Sequence, residues 1–181
     1  MKRVTIVLLV ALVAGVAARV AAPAPKKARF SAALACGVQR WSVKTLKDRP
    51  YLTAPRASSV ARLSALPAPA RLGSTRLPAE HQVVTVVAPV ILDRSESDLD
   101  RHLILRSGRQ TMIAETPSPL CTKGATAARR AQMTAARGAA RVCARARVTG
   151  VVFFDFRHGQ TGVAVNGVEL HTVLGFTCLS G

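Results

Sequence analysis

The sequence predicts a mainly β domain with one long helix, set behind an N-terminal extension, and three observations carry the prediction. β-Branched and alternating stretches recur after residue 80, a proline-free run of strong helix formers spans residues 123–147, and two glycine-turned strands follow it. Three strands, a helix, then two strands is the element order of an OB-like five-stranded barrel, β-β-β-α-β-β. Another small barrel or an α+β sandwich shares that order.

In chain order, Lys2 and Arg3 precede an unbroken apolar run over residues 4–18, followed by small residues and Pro23. That is the layout of a secretory signal, so residues 1–22 are expected to leave the mature chain. The run is short for a membrane span, which needs ~20 residues. The expected location is therefore secreted or extracytoplasmic, with no transmembrane segment after cleavage. Leu34-Ala-Cys36 lies too far past the apolar run to serve as a lipoprotein processing site.

Residues 23–35, rich in proline, alanine and lysine, read as a flexible linker. Residues 36–80 form an N-terminal extension with the only tryptophan, Trp41, and a short helix over residues 58–66, capped by serine and stopped by Pro67. Residues 81–181 are the OB-like domain. Its first strand, Val83-Val-Thr-Val-Val-Ala-Pro-Val-Ile-Leu92, carries Pro89, which marks an edge or a bulge. His102-Leu-Ile-Leu-Arg106 alternates and Gln110-Thr-Met-Ile-Ala-Glu115 returns as its hairpin partner. The last two strands are expected over residues 148–157 and 167–175, with Asn166-Gly167 as a turn between them.

An oxidising compartment changes how cysteines read. Cys36, Cys121, Cys143 and Cys178 are an even set, so two disulfides are the expectation. Of three pairings, Cys121–Cys143 would pin the helix and Cys36–Cys178 would tie the ends of the mature chain. No Cys-x-x-Cys spacing suggests zinc.

Charge narrows the function classes. Lysine and arginine number 26 against nine carboxylates, a net charge of +17, so the chain attracts polyanions such as nucleic acid or an anionic cell-envelope polymer. At 100° per residue Arg130, Arg137, Arg141 and Arg145 fall on one side of the predicted helix, a candidate anion-binding ridge. Ala128, Ala131, Ala135 and Ala139 lie opposite, with Gly138 a possible break. Only seven residues are aromatic, too few to expect a stacking platform for single strands.

The few carboxylates gather beside histidines. Asp100 and His102 are two apart on a strand and share a face, as do Glu169 and His171. Leu103, Leu105, Leu170 and Leu174 would face the core, leaving the polar pairs on the outer face. Asp155 and His158 flank the glycine turn and Glu115 closes the hairpin.

Converging imidazoles and carboxylates suit zinc or manganese, with Asp100, His102, Glu115, Glu169 and His171 as candidate ligands. Glu169, His171, Asp155 and His158 are candidate catalytic groups for metal-assisted hydrolysis, nuclease-like in substrate. The plainer reading pairs them on a solvated sheet face, with His171 holding the backbone of the glycine turn. No cofactor other than a divalent metal is suggested. No phosphate-loop spacing precedes a helix, and no Gly-x-Ser-x-Gly nucleophile motif is present.

Four segments together resemble a group of uncharacterised secreted bacterial proteins with an OB-fold-like domain. They are Cys36-Gly-x-x-Arg-Trp-x-Val-Lys-Thr-Leu46, Asp100-x-His102-Leu-x-Leu105, Thr111-Met-Ile-Ala-Glu115, and Val148-Thr-Gly-Val-x-Phe-Phe-Asp-Phe-x-His-Gly-Gln-Thr-Gly-Val-Ala-x-Asn-Gly-x-Glu-Leu-His171. The resemblance spans most of residues 36–176 and implies the fold without an activity. Where that group often has proline, Val165 and Thr172 stand here.

Three functions remain open. The best supported is a secreted basic binding module for an anionic partner. The alternatives are a metal-assisted hydrolase and a structural cell-envelope protein.

Overall fold

The computed structural model describes residues 36–157 and 159–180. The signal-like segment 1–22, the linker 23–35 and the candidate His158 lie outside the described residues. Helix α1 (Trp41–Lys44), strand β1 (Arg56–Ser58) and helix α2 (Val60–Ser64) build the extension, and a 3-10 turn, Pro78–His81, leads into the barrel. Strands β2 (Val83–Ser95), β3 (Arg101–Ser107) and β4 (Gln110–Thr116) come next, then helix α3 (Ala127–Ala139), then β5 (Cys143–Phe154) and β6 (Val168–Ser180). The sheet order is β1-β2-β3-β4-β6-β5, and a further β2–β5 pairing closes the five long strands into an OB-like barrel. β4 and β6 run parallel, and β1 lies parallel beside the first half of β2. No helix among the described residues is long and apolar enough to cross a membrane.

Local chemistry explains most of these elements. Ser59 caps α2 by accepting from the Arg62 amide at 3.1 Å. Pro89 produces a bulge: the β2–β5 register shifts between Ala88 and Val90, and the β2–β3 register between Val90 and Leu92. Asn166 does more than turn the chain. Its amide donates at 2.9 Å to the carbonyls of Leu63 and Leu66, tying the β5–β6 loop to α2.

Two apolar layers result. Leu103, Leu105, Met112, Ala114, Val148, Val152 and Leu170 fill the barrel. Leu46, Val83, Ala125, Met133, Val151 and Leu174 form a second layer where the extension and α3 meet the outer face. Each fully buried leucine contributes about 1.5–3 kcal/mol relative to exposure. Leu174, expected in the barrel core, belongs to the outer layer. The β5–β6 register shifts between Thr149 and Gly150 and again between Gly150 and Val152, which changes the alternation.

Three expectations need correction. The helix ends at Ala139 rather than Arg147, and residues 143–147 open β5 instead. Cys143, Ala146 and Val148 point inward while Ala144, Arg145 and Arg147 point out, and ladders to β2 and β6 flank the segment. Alanine and arginine favour helix by only tenths of a kcal/mol per residue, which two sheet partners outweigh. The alanine face is displaced as well: Met133, Ala136 and Ala140 are buried, whereas Ala128, Ala131 and Ala135 are exposed. The disulfides pair Cys36 with Cys121 and Cys143 with Cys178, at Cα separations of 5.7 and 5.9 Å. Once residue 143 starts a strand, its neighbour is the end of antiparallel β6, and Cys121 is left to hold the extension.

Two glycine substitutions should have opposite signs. Gly162 has φ +85°, and a Cβ there would come within 2.7 Å of the Ile104 side chain. Gly162→Ala is expected to lose about 1–2 kcal/mol. Gly138, near the end of α3, has open space around it, so Gly138→Ala should gain about 0.5–1 kcal/mol. Urea midpoints of the two variants check this, and matching signs would contradict it.

Candidate functional site

The strand register sets three polar side chains in a row across the sheet. His102 on β3 is the partner of Glu115 on β4, and Glu115 is the partner of His171 on β6. Glu169, two residues before His171, lies beside Phe153 on β5. These residues point away from the barrel core, as their strand positions predict. They are not solvated. Asp100, His102 and His171 are completely buried and Glu169 nearly so, because the extension and the β5–β6 loop cover this face.

The cover is ionic. Arg40 makes a two-pronged pair with Glu80, 2.7 Å on each prong, and Lys44 reaches Asp155 at 2.7 Å. Both cations lie over the Phe153 ring, 4.6 and 5.5 Å from its centroid. The edge of that ring contacts His171, with 5.6 Å between centroids.

Beneath it, Glu115 sits between two imidazoles. Its Oε1 is 2.9 Å from Nδ1 of His102 and its Oε2 is 3.0 Å from Nδ1 of His171. His102 Nε2 donates to the Thr161 carbonyl at 3.0 Å, so His102 rather than His171 holds the glycine turn. Glu96 adds a second carboxylate 3.4 Å from His102 Nδ1. His171 Nδ1 donates to Glu169 at 3.4 Å, and its Nε2 lies 3.3 Å from Asp100 Oδ2.

Burial works against charge on His171, but Asp100, Glu115 and Glu169 outweigh it and hold the ring well above the ordinary imidazole range. His102 is also raised, burial being overcome by Glu115. Burial would raise Glu115, yet its two histidines hold it below the usual carboxylate range. Glu169 is pushed up to about 7 by burial and by the Glu115 charge, and burial raises Asp100. Burial would lower Lys44, but Glu169, Asp155 and Glu115 raise it.

Of the predicted ligands, Asp100, His102, Glu115, Glu169 and His171 therefore come together. Asp155 joins them only through Lys44. The sequence reading missed Lys44, Arg40, Glu80 and Glu96, although Arg40 and Lys44 stand within the Cys36–Leu46 segment singled out above. A cavity of about 180 Å³ opens beside the cluster, bordered by Trp41, Lys44, Glu96, Asp98, Glu115 and Asp155.

The four candidate anion-binding arginines do not form one ridge. Arg130 and Arg137 are half-buried on α3, where they donate to the carbonyls of Ala125 and Thr116. Arg141 follows the helix and Arg145 lies on β5, both exposed. Exposed Arg147 continues the β5 row beside exposed Val87, its β2 partner. Arg106 borders a groove with Pro89, Ile91 and Val142, and Arg109 lies in the adjoining β3–β4 turn.

No family model matches the chain, and no curated protein does. Among solved structures it is similar to one described as an aspartyl-tRNA synthetase from Leishmania major Friedlin, with TM-score 0.44 and 14% identity, over 68% of this chain and 20% of that one. It is also similar to Entamoeba histolytica asparaginyl-tRNA synthetase in complex with asparaginyl-adenylate, with TM-score 0.41 and 13% identity, over 70% of this chain and 24% of that one. The match thus spans 20% and 24% of those longer chains.

Proposed function

We propose that the protein is a secreted, basic, OB-like binding module that holds a phosphodiester polymer by its backbone, without chemistry on it. One observation carries this reading: the carboxylates are taken up in ion pairs or buried beside histidines, while the exposed arginines on and around β5 have no carboxylate partner. The Asp48 and Glu96 carboxylates are each only 26% exposed, and Arg76 and Arg94 hold them at 2.8 and 2.9 Å. The outer surface is therefore almost purely cationic. The signal-like N-terminus and the two disulfides support secretion.

OB domains generally bind oligonucleotides on the face of their second and third strands, between the loops after the first and fourth. Here those strands are β3 and β4, and that face is acidic and covered. A polyanion is better served by the outer side of β5, where Arg145 and Arg147 line up with Arg106, Arg109 and Arg141 nearby. No exposed aromatic stands among these residues, so contact is to phosphates and blind to sequence.

The test is anisotropy of a labelled oligo-dT titrated between 20 and 200 mM salt. Replacing Arg106, Arg109, Arg145 and Arg147 by glutamine should flatten the slope of log K against log salt by about 3, or ~0.7 per lost contact. An unchanged slope would sink the reading.

The buried His/carboxylate cluster favours a second reading, a metal-assisted hydrolase. Chelator-sensitive phosphodiester cleavage, lost in His171→Ala with the fold intact, would establish it instead.

A further inference from the structure

Asp100 is the buried carboxylate with the poorest partnering: its one ion pair, to His171 Nε2 at 3.3 Å, lacks hydrogen-bond geometry. It is completely buried, and neither carboxylate oxygen has a hydrogen-bond partner among the described residues. The nearest polar atom aimed at it, His171 Nε2, is itself buried without a hydrogen bond. Such orphans are rare because each costs about 1–3 kcal/mol, and more when charged.

The ring is held so that this nitrogen is the available one. Glu169 accepts from Nδ1 at 3.4 Å and keeps a proton there, which leaves the Glu115 Oε2 to an ion. Nε2 faces Asp100, and an ion bound there would displace the proton that Nε2 otherwise carries. Carboxylate–imidazole–metal ordering of this kind fixes the ring in metal sites. The 3.3 Å between Nε2 and Oδ2 is also the edge two ligands make when each lies ~2.0–2.1 Å from a tetrahedral ion.

We propose that Asp100, His171 and Glu115 hold one divalent transition-metal ion, zinc by preference. One donor atom from each lies within 4.8 Å of the others. The mixed nitrogen and oxygen set suits zinc, whereas magnesium and calcium take oxygen alone. Glu96, Asp98 and Glu115 border the adjacent cavity and supply an acidic approach for a cation in a chain whose exterior repels one. The ion would neutralise Asp100 and cross-link the start of β3 to β6. This inference is independent of polymer binding on β5.

The test uses the disulfide-bonded full chain, purified without chelator and titrated with zinc chloride alone by calorimetry, with native mass spectrometry for stoichiometry. One zinc per chain is expected. Asp100→Asn, nearly isosteric, should weaken binding at least ~100-fold and Glu115→Gln ~10–100-fold, with circular dichroism unchanged. Glu96→Gln, which touches only the approach and a neighbouring trio with His102 and Glu115, should weaken binding far less than Asp100→Asn, by no more than a few-fold. Cobalt(II) on the unaltered chain should give the intense visible bands of a four-coordinate site, a readout that needs no variant to fold. Absence of stoichiometric zinc would overturn the proposal. So would binding lost in Glu96→Gln but kept in Asp100→Asn.

Discussion

Glu80→Gln is expected to remove about 3–5 kcal/mol of folding stability, a large part of the total for a domain of this size. The Glu80 carboxylate is completely buried and fully used. It takes both prongs of Arg40 and also accepts from the amides of Phe154 at 2.9 Å and Leu77 at 2.7 Å. Glutamine keeps the shape but withdraws the charge, and its NH₂ group faces donors, so the buried Arg40 charge loses its counterion. Arg40→Met should cost a similar amount, because it strands the Glu80 charge and leaves the carbonyls of Gly73, Thr75 and Phe154 without this donor. The double variant should then recover about 1–3 kcal/mol relative to the sum of the singles. Urea denaturation with disulfides intact measures all three. Additive losses would mean that the pair is not the clamp on the extension.

The second large effect concerns the disulfide that corrects the sequence reading. Cys36–Cys121 closes a sequence separation of 85 residues and Cys143–Cys178 one of 35. Loop entropy alone assigns them about 4.5 and about 4 kcal/mol. The totals are close, but the places differ. Replacing Cys36 and Cys121 by serine frees the start of the cover, so amide exchange should rise at His102, Glu115 and His171. Replacing Cys143 and Cys178 should raise exchange only where β5 begins and β6 ends. The same exchange pattern in both variants would contradict a cover tied down at Cys36.

The parts of this fold that could be read in advance were those written in β-branched residues or in alternation. Residues 83–92 are β-branched, 102–106 alternate and 110–115 return as a hairpin partner, and their order with the helix indicated a barrel. The β5 entry was hidden because Cys-Ala-Arg-Ala-Arg-Val alternates in a vocabulary that also favours helix. Only the partner strands decide between the two. That one misassignment carried the disulfide pairing and the arginine ridge with it.

The candidate site was half legible. Spacing placed Asp100 with His102 and Glu169 with His171 on the face opposite Leu103 and Leu170. It carried no information on what lies over that face. Arg40 and Lys44, far away in sequence, supply the cover and turn a solvated row into a buried one. The same cover explains why the usual OB ligand surface is unsuited to a polyanion here.

That division of surfaces is most directly tested by mapping amide chemical shifts of the protein at low salt during titration with oligo-dT. Perturbations are expected at Arg106, Arg109, Arg141, Arg145 and Arg147, with Trp41, Lys44, His102, Glu115 and Thr161 unmoved. Perturbations centred on Trp41, Lys44 and Thr161, with the β5 arginines silent, would contradict that division. The polymer would then enter the covered face, and the segregation of charge would not be what directs binding.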